Sequence, residues 1–297
     1  MAVKIASAPI QLRTTTTSLA GLSLPTEMHL PTNDLSKQSW LIYGRKKIGK
    51  SSLAAQFPGS LNFSFEPGSE EIKLFKVDIP IGTKLEPGWK YFVKYIDLLE
   101  KTKHNYKMAV LDTGFEAYNR CLEYVCTTRN IPYPKHDDFG DSWNAVKTEF
   151  RMQHTRLKQM GIGLIIICHD KMKQDETPAG QKFDYIIPNL SAQADDLYRG
   201  IIANVGYYHY REKQRFLIIR GTDYIMAGVA SGDERWRTKS GDPVYSVPMG
   251  TNAQQSYANL LRAFNNQQTE SFEDETKRFA DEEKAFSIRK KAKKPSR

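Results

Sequence analysis

Eight consecutive residues carry the clearest chemistry of this 297-residue chain. Gly44-Arg45-Lys46-Lys47-Ile48-Gly49-Lys50-Ser51 fits G-x-x-x-x-G-K-[ST] at every fixed position. Glycine tolerates positive φ, so the backbone can curl until successive N–H groups point inward at one anion. A helix beginning here would present its own unpaired N–H groups to the same anion. Lys50 is then expected to reach the β- and γ-phosphates of ATP, and the Ser51 hydroxyl to ligate Mg²⁺. Ser52 follows as the next helical residue of the nucleotide site. Lys46 and Lys47 add attraction to a triphosphate, although the mechanism of the loop specifies neither. A basic surface turn could match the pattern by chance, but an apolar segment precedes this one and a helical segment follows it.

Three further positions complete a possible site. Asp112 ends the apolar run Met108–Leu111, where a carboxylate can face Mg²⁺ near Ser51; an aspartate there can also serve a turn. Glu66 ends the next apolar segment after the loop and is the candidate base for water, with Glu70 and Glu71 as rivals further along. His169 and Asp170 close the run Ile162–Cys168, where His169 can sense the γ-phosphate or simply cap a strand. His29, His104, His136, His154 and His209 show no metal-ligand spacing with one another or with cysteine. Cys121, Cys126 and Cys168 lie in apolar or helical stretches and read as buried free thiols.

These side chains need elements to hold them. Trp40–Tyr43, Leu61–Phe65, Met108–Leu111 and Ile162–Cys168 read as strands, the last as a continuous apolar strand of a buried parallel sheet. Lys50–Phe57, Trp89–Lys101, Phe115–Arg129 and Ser142–Met160 read as helices, the first stopped by Pro58 and Gly59. Strands alternating with helices predict an α/β fold, with a mostly parallel central sheet flanked by helices and right-handed crossovers. Ile201–Tyr210 and Arg215–Ile219, around Arg211–Gln214, predict a late β-hairpin, and Asn252–Phe264 a final core helix. Residues 1–38 read as a flexible leader, 39–265 as the main domain and 266–297 as a charged tail.

Composition excludes several classes. A chain with 40 % hydrophobic and 26 % charged residues is an ordinary globular one, and no apolar run is long enough to span a bilayer. A formal net charge of +9 favours a polyanionic partner. The tail is acidic over 270–283 and basic over 284–297. Phe272, Phe279 and Phe286 recur at sevens, but Glu275 and Glu282 between them argue against a coiled coil. It reads as a solvated, partly helical tail or as a docking segment whose Lys290, Lys291, Lys293 and Lys294 contact phosphates.

GRKKIGKS at 44–51, NFSFE ending at Glu66, MAVLDT reaching Thr113 and LIIICHD reaching His169 together resemble the RecA-like ATPase core. More narrowly, the chain resembles compact phage-encoded P-loop ATPases of recombination and single-strand annealing, with an AAA-type ATP-binding domain, over roughly 38–265. The resemblance implies that Glu66 is the catalytic glutamate and Asp112 the Walker B acid. It places His169 where a glutamine usually senses the γ-phosphate. It makes Lys171–Gln193 a mobile DNA-binding loop, with Lys171, Lys173, Lys182, Phe183 and Tyr185 suited to phosphate contact and base stacking. It further implies a homo-oligomer with nucleotide at the subunit interface, reached by a basic residue of the neighbour. Lys213, Arg215 and Arg220 are candidates, Arg220 first.

The expected function is an ATPase acting on single-stranded DNA in phage recombination, repair or replication, in the cytoplasm of an infected host and without a membrane partner. One alternative is an NTP-driven motor or assembly factor of the helicase-loader or packaging type, with a protein partner. Another is a small-molecule kinase, although Gly180–Gln193 offers no arginine-rich lid.

Overall fold

The computed structural model describes residues 27–28, 32–83, 85–134, 140–176, 180, 182–211, 214–230 and 234–269. The charged stretches of the tail, Lys213 and His136 therefore lie outside the described residues. Contacts divide the chain after Thr32, and the elements below belong to the unit that begins at Asn33.

The phosphate loop leaves β1 (Ser39–Gly44) and enters α1 (Lys50–Ala54). Next come β2 (Ser60–Ser64), β3 (Phe75–Asp78), α2 (Gly88–Lys101), β4 (Met108–Asp112), α3 (Gly114–Thr128) and α4 (Asp141–Gln159). They are followed by β5 (Gly163–Cys168), β6 (Asp170–Glu176), β7 (Lys182–Pro188), α5 (Ala192–Ile201), β8 (Asn204–Arg211) and β9 (Gln214–Ile218). β10 (Ser246–Gly250) and α6 (Ala253–Phe264) close the domain. Eight strands form one sheet in the order β10-β9-β8-β1-β5-β4-β2-β3, with β6 and β7 in a separate antiparallel pair. From β8 through β3 every pairing is parallel, and β9 and β10 extend the sheet antiparallel.

The pleat sends alternate residues to two cores. Leu41 and Tyr43 of β1, Ala109 and Leu111 of β4, and Leu164, Ile166 and Cys168 of β5 pack with α2, α3, α4 and α5. Trp40, Ile42, Met108, Val110, Ile165 and Ile167 face the other way, against Leu53 and Phe57 after the loop and Leu260 and Phe264 of α6. Burial on both faces explains why β5 reads as an unbroken apolar run rather than an alternation. Cys121, Cys126 and Cys168 are buried and free. Among the described residues no helix is long and apolar enough to cross a membrane.

Several elements differ from their sequence signals. Helix α1 stops at Ala54, short of Phe57, and Leu35–Lys37 within the expected leader form a 3-10 turn that buries Leu35. Lys171–Gln193, expected as a loop, is the β6–β7 hairpin followed by the start of α5. Five of the seven β6 residues are exposed, so the strand is held by its ladder and shows no apolar period to read. Strand β8 begins at Asn204, because Ile201 still belongs to α5. The edge strands β3 and β10 carry weak signals: β3 is four residues long and β10 contains Pro248, which an edge tolerates.

Candidate functional site

Parallel register brings the expected residues to one edge of the sheet. Ser64 of β2 pairs with Asp112, Asp112 with Ile167, Tyr43 with Cys168, and Gly44 with Tyr208. The chain therefore leaves β2, β4, β5 and β1 side by side toward Glu66, Thr113, His169 and the phosphate loop. This carboxyl edge is where open α/β sheets bind ligands.

Glycine is required at both ends of the loop. A Cβ on Gly44 would lie 2.0 Å from the Tyr208 carbonyl oxygen, so β8 crowds out any side chain. Gly49 caps α1 at φ 102°, a left-handed conformation that other residues rarely adopt. Lys50, only 5 % exposed, donates from Nζ to the carbonyls of Gly44 and Arg45, each at 2.8 Å. Burial pushes its ammonium down to about 8, against the pull of Asp112, Asp170, Cys168 and Glu66. A buried cation held by two neutral carbonyls at the mouth of a curled loop fits a phosphate ligand.

Ser51 Oγ donates to Asp112 Oδ2 at 2.5 Å. Burial raises the Asp112 carboxyl above its ordinary range, with Ser51, Lys50 and Asn62 acting in the opposite sense. A hydroxyl and a carboxylate already in contact form an oxygen-only pair, the donor type that Mg²⁺ takes.

Beyond the end of β2, Glu66 is partly buried and meets two neighbours. Thr113 Oγ1 donates to Glu66 Oε1 at 2.6 Å, and His169 Nε2 lies 3.9 Å from Oε2. His169 and Thr113, with Lys46 contributing, hold the Glu66 carboxyl below its ordinary range against the effect of burial. His169 Nδ1 is buried without a hydrogen-bond partner. The rivals Glu70 and Glu71 are exposed, and Glu70 accepts from the Gly68 N–H of its own loop. Thr113, adjacent to Asp112, carried no chemical signal of its own in the sequence; only its 2.6 Å contact with a carboxylate 47 residues earlier reveals it.

The basic candidates separate because β9 runs against β8. Arg215 pairs with Tyr210, beyond the level of Gly44, whereas Ile218 pairs with Tyr207, already below it. Arg215 reaches the loop of its own chain: Nη1 donates to the Ile48 carbonyl at 3.5 Å and Nε to the Gly250 carbonyl at 3.3 Å. Arg220 lies further from that edge and donates from Nε to the Val244 carbonyl at 3.1 Å. Register in an antiparallel strand, rather than composition, distinguishes the two arginines.

The β6–β7 hairpin starts directly after His169. Its base is fastened by Asn189 N–H to the His169 carbonyl (2.7 Å), and by Ile186 N–H to Tyr224 O and Met226 N–H to Ile186 O. Tyr43, the last residue before Gly44, donates to the Met226 carbonyl at 2.6 Å and the Ile186 carbonyl at 3.2 Å. Met172, Lys173 and Tyr224 are exposed, while Lys171 Nζ turns back to the Leu190 carbonyl at 2.5 Å. Among the described residues no group of three His, Cys, Asp or Glu side chains forms a metal cluster.

Residues 36–240 match the family model described as an AAA domain. No curated protein matches the chain. Among solved structures it is similar to a KaiC-like protein from the hyperthermophilic archaeon Pyrococcus horikoshii OT3. The identity is 13 % and the TM-score 0.39, over 74 % of this chain and 88 % of that one. With a family match over more than half its length and a phosphate loop set between β1 and α1 of a mostly parallel sheet, the chain belongs to the AAA domain family of P-loop ATPases.

Proposed function

We propose that this ATPase hydrolyses ATP with Mg²⁺ and couples turnover to single-stranded DNA, in the recombination, repair or replication of a phage. The observation that carries the reading is the position of His169. One side faces Glu66 at 3.9 Å, and its next residue begins the β6–β7 hairpin. A change at the γ-phosphate thus has a short path to an exposed element with a lysine and aromatic side chains.

Glu66 is the proposed base. A water hydrogen-bonded to its carboxylate loses a proton to it while the water oxygen attacks the γ-phosphorus, and the bond to the β–γ bridging oxygen breaks. Thr113 fixes one carboxylate oxygen and so aims the other. Lys50 would leave its two carbonyls for the phosphates, and Ser51 and Asp112 would hold the metal. Mg²⁺, when bound, neutralises charge on the β- and γ-phosphates. Arg220 is the proposed contribution of a neighbouring subunit in a homo-oligomer, acting on the γ-phosphate in trans.

On the DNA side, Lys173 would meet phosphates and Tyr224, in edge contact with Phe183 at 6.0 Å, would stack on bases. Fluorescence anisotropy of a labelled oligothymidylate, with and without Mg²⁺ and a non-hydrolysable ATP analogue, tests this. Tighter binding with the analogue is expected, together with a steep decline in salt. Absence of binding in both states at low salt rejects the DNA partner while leaving the ATPase assignment intact.

A further inference from the structure

Arg215 of the late hairpin stands against the phosphate loop, and the ATP site does not account for it. It approaches from outside. Successive N–H groups of such a loop point in toward the anion and the carbonyls point away. The Ile48 carbonyl that accepts from Arg215 Nη1 belongs to the same peptide group as the Gly49 N–H. In a trans peptide these two dipole ends point in opposite directions. A guanidinium that holds the carbonyl outward therefore turns the N–H inward and, by polarising the peptide, makes it a stronger donor.

Two further observations support this geometry. A Cβ on Gly49 would stand 3.0 Å from Arg215 Nη1, so the guanidinium fills the space that the missing side chain leaves. Arg215 Nε is also tied to the carbonyl of Gly250, at the end of β10. The side chain is therefore fixed at both prongs, between an edge strand of the sheet and the crown of the loop. Lysine, a single point charge, cannot reproduce that fork.

We infer that Arg215 acts in cis as a positioning residue, orienting and polarising the Ile48–Gly49 peptide so that the Gly49 N–H binds the diphosphate part of the nucleotide. The inference rests on the reading of Gly44–Ser51 as the ATP site. It separates Arg215 from any residue that would act on the γ-phosphate of a neighbouring subunit. A group acting on the diphosphate changes the affinity for ADP and ATP alike, whereas a group acting on the γ-phosphate affects ATP and its turnover.

The test is displacement of a fluorescent ADP analogue by ADP and by ATP, together with steady-state hydrolysis, in the wild type, Arg215→Gln and Arg215→Lys. If the wild type binds no nucleotide, the ATP-site reading itself fails. Given binding, Arg215→Gln is expected to weaken ADP and ATP equally, by about tenfold, and to raise KM with kcat within about twofold. Arg215→Lys, which keeps the charge without the fork, is expected to lie between Gln and wild type. Unchanged ADP affinity in Arg215→Gln overturns the inference, as does a fall in kcat at unchanged KM. A lysine variant as weak as glutamine removes the polarisation argument. Both variants should keep the wild-type thermal transition, since Arg215 is only half-buried. Loss of the fold would make Arg215 a structural residue and reject the proposal.

Discussion

The Thr113 hydroxyl donates to Glu66 Oε1 at 2.6 Å across the gap between two parallel strands, joining the residue after Asp112 to the acid at the end of the neighbouring strand. Thr113 is 3 % exposed, so the pair has little water to fall back on. Glu66→Gln should retain nucleotide binding and lower ATP turnover by about 10²–10⁴-fold, the range for loss of a general base. Wild-type turnover in that variant would exclude Glu66 as the base.

Thr113→Val removes a donor that favours ionised Glu66. A proton then binds Glu66 more readily, so the acid limb of kcat against pH should move to higher pH. The wild-type limb is expected below the ordinary glutamate range. A pH–rate profile of the two proteins checks this, and superimposed acid limbs would assign the hydroxyl a purely structural part.

Lys50 offers a test that needs no hydrolysis. In the nucleotide-free protein its ammonium is pushed down to about 8, and a bound phosphate favours the charged form. Below pH 8 the lysine is already charged, and affinity should be flat. Above it, binding must take up a proton, and affinity should weaken by about tenfold per pH unit. Titration calorimetry of ADP at pH 9 in buffers of different ionisation enthalpy should register that uptake; Lys50→Ala should abolish it.

Asp112 is a half-buried carboxylate whose neighbours offset its desolvation only in part. Asp112→Asn should weaken Mg²⁺ dependence of nucleotide binding by about 10–100-fold, as for other groups that orient a metal's ligands. The same change relieves a half-buried charge, so the metal-free protein should melt at the same or a higher temperature. A lower melting temperature with unchanged Mg²⁺ dependence would place Asp112 in the fold rather than the site.

His154 gives an acid-stability prediction away from the site. It is buried in α4, stacked on Phe150, with Nδ1 2.6 Å from the Phe150 carbonyl and Nε2 unpartnered. Burial lowers its pKa from 6.5 to about 4. Between those values the unfolded chain binds the extra proton, so stability falls as pH drops through 6.5 and levels off below 4. The loss is on the order of 3 kcal/mol. His154→Phe should flatten this portion of the stability curve in chemical unfolding at pH 7 and pH 5.

The sequence by itself determined the phosphate loop, because Gly44, Gly49, Lys50 and Ser51 are fixed by local backbone geometry and one helix start. It also determined most of the central parallel strands, since burial on both faces leaves continuous apolar runs such as Leu164–Cys168. Asp112, Glu66 and His169 could be proposed because each follows such a run. Tertiary structure alone decided which atoms meet: strand order brought Thr113 to Glu66 and Ser51 to Asp112. It also turned Lys171–Gln193 into a hairpin, whose exposed ladder leaves no hydrophobic period. The sharpest case is Arg215 against Arg220. Both are basic residues near one strand, and nothing in their order separates them. The antiparallel direction of β9 carries Arg215 to the loop and Arg220 away from it, because register across a sheet is set by pairing, not by neighbours in the chain.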